Sequence, residues 1–448
     1  MRPTLGHAAA PLGSAHGAIV GSRGRSVPID QVRAPPGGNL VCGATVCYTA
    51  QQTGAPSAAG RARHWGPPTW RACRLSARST HLSRTAAAAL RPWLSLAVVC
   101  AGFSLHPVFR GTFWTADYLP NILQQAATNI ILAVGMTFVI LTGGIDLSVG
   151  SVLALCGVAL GLTVTQGPPP FLTYAMALPI GVGAAAALRR VAPRTLEERA
   201  RISWIGGVAT ALAAGALLSR GLAGGVRLEW AILAALAVGL SVGILNGLVT
   251  TCGGVPPFVT TLGTLTAARG LTVYATGGTS VSGLPPRLGA LGEGAPLVAI
   301  AFAVVIAGIV LRTRTRAGRY IVAIGGNEEA ARLTGVAVAR YTTLAYALSG
   351  LAAAIAAVVL TAKFRLADTG AGTNAELNAI AAVVIGGTSL SGGQGTVIGS
   401  LVGALTIAVL NAGLVLVGVQ DTLQGVVIGA VIIVTVMVDR ARRAPGAR

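Results

Sequence analysis

From residue 86 onward the chain consists of apolar runs of about 18–23 residues, separated by short polar or arginine-rich segments, and runs of this length cross a bilayer as helices. The runs near 257–274 and 377–391 are the weakest, because Gly, Pro, Ser or Thr interrupt them. Such breaks are tolerated at membrane depth only where protein or a watery cavity satisfies the backbone. We count twelve candidate spans, at 88–106, 119–142, 148–166, 171–188, 203–220, 229–250, 257–274, 295–312, 342–362, 377–391, 396–416 and 422–438.

The composition agrees with a chain whose solvent is mostly lipid. Hydrophobic residues make up 53% of the 448 residues and charged residues only 10%, whereas a soluble domain carries roughly 25% charged residues. Glycine is abundant, with 61 copies, which suits close packing of membrane helices through small residues. The composition excludes a secreted disulfide scaffold and argues against a soluble enzyme. We therefore predict an all-α polytopic membrane protein.

Residues 1–85 differ from the rest of the chain. They are rich in Arg, Pro, Gly, Ser and Ala, and they hold ten arginines against one acid, Asp30. This composition is typical of disorder. A misassigned start codon would explain the segment, and a transit peptide is the alternative. We expect a transmembrane domain over 86–440 and a basic cytoplasmic tail over 441–448.

The arginines predict an orientation in the membrane. They concentrate in the loops 189–202 and 312–341 and in the C-terminal tail, and these three segments fall on one side if twelve spans alternate. Cytoplasmic loops carry the excess of Arg and Lys. Both termini are therefore predicted to be cytoplasmic, which requires an even number of spans.

The sequence also contains an internal similarity. Gly143–Gly150 and Gly386–Gly393 agree at five of eight positions, and each is followed by an apolar span. Matched glycine-broken segments in two halves indicate a duplicated transporter with its pathway near the breaks. Chance similarity between two glycine-rich membrane segments is the alternative.

Motifs for catalysis or nucleotide binding are missing from the sequence. There is no GxxxxGK[ST] phosphate loop and no HExxH, and no histidine follows His106. The six cysteines form no CxxC pair, so no metal site is expected. Outside residues 1–85, no basic run interleaved with aromatic residues indicates nucleic-acid binding. Because charges are sparse within the spans, we expect a neutral, hydroxylated cargo and an energy source outside this chain.

The ionisable residue that stands out at membrane depth is Asp146, beside a Gly-Gly break. It could cap the helix that starts near Leu147, or it could take part directly in the pathway. Several Ser, Thr and Asn residues could line the same pathway, and each could instead serve as an interhelical hydrogen-bonding residue. The candidate pathway or helix-break residues are Gly143, Gly144, Asp146, Ser148, Asn246, Thr388, Ser389, Ser391 and Asn411.

A short helix is predicted at 327–334, inside the arginine-rich loop. It has an N-cap residue, two acids in its first turn, a late arginine and a glycine stop. Two glycines before it would permit a sharp turn. We predict that the helix is a docking element, and a solvated loop is the alternative. The candidate coupling residues are Gly325, Gly326, Asn327, Glu328, Glu329, Arg332 and Gly335.

Four runs resemble the permease subunits of bacterial ribose/xylose-type ABC sugar importers: Ile140–Ser151, Val255–Thr264, Gly318–Gly335 and Ala379–Gly393. The resemblance implies a ten-helix permease in the inner membrane that pairs as a dimer. It also implies a cytoplasmic ATPase subunit, which binds ATP and Mg in place of this chain, docked around Gly325–Gly335. An extracytoplasmic sugar-binding protein would sit on the other face.

The resemblance covers about 86–166 and 229–448, and it leaves the segment near 171–220 as an extra hairpin. Two added spans preserve the predicted location of both termini. A permease for branched-chain amino acids and a self-contained secondary transporter remain alternatives. An intramembrane enzyme or a structural scaffold is a third, for which no residue constellation is visible.

Overall fold

The computed structural model describes residues 19–20, 26–27, 92–105, 115, 118–191, 196–222, 224 and 226–443. The chain divides into two units, residues 1–70 and 71–448. In the first unit, strands β1 (Ile19–Val20) and β2 (Ser26–Val27) pair antiparallel, with Ile19 opposite Val27. Most of the predicted basic extension over 1–85, and the end of the predicted tail over 441–448, lie outside the described residues.

The described part of the second unit is helical. Its apolar helices coincide with the predicted spans, because each apolar run can satisfy its backbone only by intrahelical hydrogen bonds. The helices are α1 (Pro92–Ser104), α2 (Tyr118–Leu141), α3 (Val149–Thr165), α4 (Pro170–Val191), α5 (Leu196–Gly221), α6 (Leu228–Thr251), α7 (Pro257–Thr276), α8 (Pro286–Gly289), α9 (Gly294–Arg314), α10 (Arg316–Gly326), α11 (Glu328–Leu333), α12 (Val338–Phe364), α13 (Ala375–Ile385), α14 (Val397–Leu416) and α15 (Asp421–Arg443).

Within the described residues, six helices are long and apolar enough to cross a membrane: α2, α4, α6, α9, α12 and α14. Shorter apolar helices are α1, α3, α13 and the C-terminal part of α5. The predicted all-α polytopic membrane protein is thereby confirmed. The span predicted at 377–391 is too long at its C-terminal end, because α13 ends at Ile385 and the glycines that follow leave the helix.

Helix α12 lies at the centre of the bundle and packs against α2, α3 and α6. Its contact with α6 depends on glycines at four-residue spacing. A Cβ atom on Gly243 would overlap the backbone carbonyl of Tyr346, and one on Gly247 would lie 2.5 Å from the Cα of Thr343. Because these positions carry no side chain, the two backbones approach closely, as is typical of membrane helix pairs.

The hairpin predicted near 171–220 is present as α4 and α5, which pack along each other. Gly181 and Gly207 allow the two helices to approach closely, since a Cβ on Gly181 would lie 2.5 Å from the carbonyl oxygen of Gly207. The hairpin also packs on α6, where the hydroxyl of Ser241 donates to the carbonyl of Ala175. The hairpin therefore joins the bundle through α6.

The bundle has two distinguishable ends. At one, called here the arginine-rich end, α2 and α9 finish and α3, α7, α12 and α14 begin, next to the arginines of 312–340. Thr261 Oγ1 donates to the carbonyl of Ile145 there at 3.3 Å. At the opposite end, Val281 and Ala367 form an isolated antiparallel bridge, and Val226 N–H donates to the carbonyl of Thr163 at 3.0 Å.

Candidate functional site

Both glycine-rich segments end a helix with the same local geometry. After α2, Gly143 adopts φ +84° and Gly144 N–H reaches back to the carbonyl of Val139 at 3.2 Å. After α13, Gly387 adopts φ +83° and Thr388 N–H reaches back to Val383 at 3.1 Å. A left-handed residue after a helix satisfies its last carbonyls, and glycine adopts that conformation without strain. The cap geometry pairs Gly143 with Gly387. This pairing differs by one residue from the sequence similarity, which aligns Gly143 with Gly386.

The carboxyl group of Asp146 is buried in a polar network at the arginine-rich end. Its Oδ1 accepts the Ser148 N–H at 3.0 Å and the Ser148 hydroxyl at 2.6 Å, and its Oδ2 accepts the Ser349 hydroxyl at 2.8 Å. Asn246 Nδ2 donates to the Ser148 hydroxyl at 2.9 Å, and Thr264 Oγ1 donates to Asn246 Oδ1 at 2.6 Å. The network joins the N-terminus of α3 to α6, α7 and α12, through side chains that are buried except for the half-buried Thr264.

The capping role predicted for Asp146 needs a correction. Helix α3 begins at Val149 and its N-cap position belongs to Ser148, whose side chain makes no capping hydrogen bond. Asp146 lies two residues earlier and accepts the Ser148 N–H, as an Asx-turn does. Burial explains the arrangement: a carboxyl group away from water requires several donors, and Ser148 and Ser349 supply them. Asp146 therefore holds α12 against the break instead of capping α3.

Sequence reasoning identified Asp146, Ser148 and Asn246 but missed Ser349 and Thr264. Ser349 lies in an apolar run, where single hydroxyls are common, so nothing local distinguishes it. Thr264 is part of the run Val255–Thr264 that carried one of the resemblances. Its spacing from the α7 start was a usable signal, because it lies one turn beyond Thr260 and Thr261.

The side chain of Tyr346 explains why a glycine is needed at Gly144, the second glycine of the break that follows α2. This side chain is buried, and a Cβ atom on Gly144 would collide with its hydroxyl. Gly144 is therefore required by close approach to α12. Among the described residues the Tyr346 hydroxyl has no hydrogen-bond partner.

Three chain segments meet at a glycine junction, defined here as Leu141, Gly143, Gly325, Gly392 and Gly393. Gly393 N–H donates to the carbonyl of Leu141 at 3.0 Å. A Cβ on Gly392 would lie 2.9 Å from the backbone nitrogen of Gly143 and 2.9 Å from the Cα of Gly325. A Cβ on Gly325 would overlap the Leu141 carbonyl. Both breaks and the last turn of α10 thus touch backbone to backbone.

The predicted short helix is present as α11, and most of it is exposed. The Asn327 side chain accepts the Ala330 N–H at 2.9 Å, and Gly335 follows with φ +82°. Glu328 and Arg332 form an exposed ion pair at 2.6 Å. Ala331 is buried and anchors the helix on the bundle, while Leu333 is 80% exposed. An apolar side chain displayed at the end of a polar helix is a feature that the sequence analysis did not single out.

Gly325 and Gly326 do not form the predicted sharp turn. Both lie in the last turn of the amphipathic helix α10, and neither has a left-handed φ. The chain changes direction at Asn327, whose backbone is extended with φ −162°. Gly325 is needed for its contact with Leu141 instead, and a Cβ on Gly326 would meet nothing within 4 Å.

The remaining candidates separate into two places. The hydroxyls of Ser389 and Ser391 lie 2.7 Å apart in the loop after α13, and Thr388 is buried beside them against Gly395. Asn411 is distant from this loop, because it lies toward the other end of α14, where it lines a cavity with residues of α2 and α13. The structure therefore does not gather all predicted pathway residues into one site.

Comparison with known proteins identifies the family. The model described as "Branched-chain amino acid transport system / permease component" matches residues 118–203 and 201–436. The ribose import permease protein RbsC of Bacillus subtilis (strain 168) is 38% identical over 332 residues, which cover 72% of this chain and 85% of the relative. RbsC of Escherichia coli (strain K12) is 38% identical over 340 residues, or 74% of this chain and 88% of the relative.

The D-allose transport system permease protein AlsC of Escherichia coli (strain K12) is 33% identical over 352 residues, which cover 77% of this chain and 89% of the relative. No solved structure matches the chain. The family match spans most of the apolar helices and both glycine breaks, and these relatives are named as import or transport-system permease proteins. This chain is a multi-pass membrane protein that belongs to the family of transport-system permease components described by that model.

Proposed function

We propose that this chain is the permease subunit of an ATP-driven ABC importer for a monosaccharide or polyol, and that it works by alternating access in the bacterial inner membrane. The ribose and D-allose import permeases among its relatives support a sugar over a branched-chain amino acid. The cavity near Asn411 is lined by uncharged polar and apolar residues, which suits the hydroxyl groups of a neutral sugar.

The main support for the proposal is that α10 connects the exposed helix α11 to the glycine junction. Helix α11 is exposed on both sides of Ala331, and α10 connects it rigidly to Gly325. Gly325 touches Leu141 and Gly393, which belong to the two breaks. A displacement of α11 would therefore shift both breaks together, because close-packed backbones transmit strain and do not absorb it.

We infer the partner assignments from this geometry together with the family resemblance. A cytoplasmic ATPase subunit, which binds ATP and Mg, would bind to the exposed surface of α11 around Glu329 and Leu333. A sugar-binding protein would deliver cargo to the opposite end of the bundle. A second permease copy would complete the pathway, as the family resemblance implies.

The proposed orientation places the arginine-rich end in the cytoplasm together with both termini. The charge bias of the loops supports it. The helix directions support it too, since α2, α6 and α9 finish, and α3, α7, α12 and α14 begin, at that same end.

Reconstitution of the permease with the ATPase and binding protein of the same importer tests the proposal. Uptake of radiolabelled D-ribose, D-allose and L-leucine would be measured in proteoliposomes with and without ATP. We expect ATP-dependent uptake of a monosaccharide and none of leucine. Uptake of leucine would favour the amino-acid alternative. Sugar uptake that survives without ATP but disappears with the ion gradient would favour a secondary transporter.

A further inference from the structure

A cavity of about 210 Å³ lies between α2, α13 and α14, and amide side chains dominate its polar lining. Helix α2 contributes Gln125, Thr128 and Asn129, α13 contributes Asn378, and α14 contributes Asn411. Leu132, Ile407 and Ala408 supply part of its apolar wall. The cavity is separate from the Asp146 network and from the glycine junction.

Two of these amides lack protein partners. The Asn129 side-chain nitrogen and oxygen and the Asn411 side-chain oxygen are buried atoms with no hydrogen-bond partner among the described residues. Buried polar groups in proteins are nearly always paired, so an orphaned amide calls for a partner from outside the protein. Three unpaired amide atoms beside one cavity could therefore form hydrogen bonds with a polar ligand.

The chemistry of the lining indicates which kind of ligand the cavity would bind. Amides offer both donors and acceptors, which matches the hydroxyl groups of a sugar, each of which can donate and accept. No charged side chain lines the cavity within the described residues, so neither an ion nor a zwitterion would find a counter-charge. The apolar wall fits the C–H face of a sugar ring.

The position of the cavity also fits a site of passage. Except for Leu132, its α2 residues lie in the first half of that helix. They are near Gln124, whose side-chain oxygen accepts the Gly294 N–H at the start of α9. This is the end of the bundle away from the arginines. In the proposed orientation the cavity therefore faces the side from which cargo arrives.

We propose that this amide cavity is a transient binding site for the monosaccharide on its way through the permease, with Asn129 and Asn411 as its hydrogen-bonding residues. The inference rests on the proposed function and deepens it by locating the cargo. Modest affinity is expected, because a transport site that holds its cargo tightly would slow its release.

The first test uses Asn129→Leu and Asn411→Leu in the complete importer, which remove hydrogen bonding while conserving side-chain size. We expect each to lower the maximal rate of sugar uptake about tenfold, the effect of losing one hydrogen bond to the cargo. ATP hydrolysis stimulated by the binding protein should stay close to the wild-type rate, because the coupling elements lie at the other end. Gln166→Leu, at an exposed amide outside the cavity, is the matched control and should leave uptake unchanged.

A second test does not depend on these variants. A single cysteine at Ala408, in a chain whose native cysteines are replaced by alanine, would be labelled with a small thiol reagent. A high concentration of D-ribose should slow the labelling, and L-leucine should not. Unchanged labelling together with unchanged uptake in the Leu variants would overturn the site, as would parallel loss of uptake, hydrolysis and folded yield. If the wild-type importer moves neither a monosaccharide nor a polyol, the proposed function itself fails, and this is a separate outcome.

Discussion

The backbone N–H of Gly393 donates a hydrogen bond of 3.0 Å to the carbonyl oxygen of Leu141. It joins the end of the helix before the first break to the loop that follows the second break. Gly325 lies against the same carbonyl, so one oxygen atom touches three segments of the chain. The junction is therefore the place where a small local change should have the largest effect on coupling.

Gly325→Ala should uncouple the importer, because the added methyl group would overlap the Leu141 carbonyl. We expect uptake and stimulated ATP hydrolysis to fall about tenfold, equivalent to roughly 1.4 kcal/mol. Gly326→Ala is the matched control, since its methyl group would enter open space in the same helical turn. Both activities would be measured on purified complex. Equal behaviour of the two variants would show that the junction transmits nothing.

Leu333→Ser should weaken the attachment of the ATPase subunit without unfolding the permease, since the side chain is 80% exposed. Truncating a residue that acts as an interface hot spot costs about 2 kcal/mol or more. The ATPase subunit retained on affinity-purified permease would be quantified. Leu333→Met, which keeps an apolar contact, is the control. Full retention in the Ser variant would place the docking surface elsewhere, beginning with 189–202.

Glu329→Lys tests the charge of the same surface more cleanly than a change at Glu328, whose ion pair with Arg332 supports α11 itself. Like charges at four-residue spacing destabilise a helix by roughly 0.2–0.5 kcal/mol, so Glu328→Lys would mix folding with docking. We expect Glu329→Lys to reduce binding-protein-stimulated hydrolysis and uptake together. Glu329→Gln should show a smaller effect, and activity that is the same in both variants would exclude a charge contact at this residue.

Asp146→Asn should retain most uptake, because the amide oxygen can accept both Ser148 bonds and the amide nitrogen can donate to the Ser349 hydroxyl. Asp146→Ala should lower the yield and thermal stability of folded permease, since each buried partner left unpaired costs about 1–3 kcal/mol. Fluorescence-detected gel filtration after heating would rank the variants. Loss of transport in the Asn variant at normal yield would show that the negative charge itself is required.

A cysteine placed at Thr195 tests the orientation. The segment 189–202, which spans the end of α4 and the start of α5, carries five arginines, so it is predicted to be cytoplasmic. In intact cells the thiol should resist an impermeant reagent, and in inverted vesicles it should react. Labelling from outside would contradict the twelve-span arrangement and the placement of the hairpin.

Local features of this fold were predictable from sequence, and pairings between distant segments were not. Asn327 and Gly335 are predictable because a cap and a stop depend on neighbouring residues. The apolar runs are predictable because a helix must satisfy its own backbone in lipid. Gly325 was expected to form a sharp turn, and this prediction was wrong. A glycine is required there by contacts with Leu141 and Gly393, which are far away in sequence. Asn129 was missed because an amide within an apolar run has no local signature of the cavity that it lines.

The Asp146–Ser349 hydrogen bond has a consequence for the synthesis of the chain. The two residues are 203 positions apart, so at roughly 5–20 residues per second the carboxyl group waits on the order of 10–40 s for its α12 partner. During that interval Asp146 has only its two local donors, the N–H and the hydroxyl of Ser148. Its third hydrogen bond, from Ser349, becomes possible only after α12 has been synthesised.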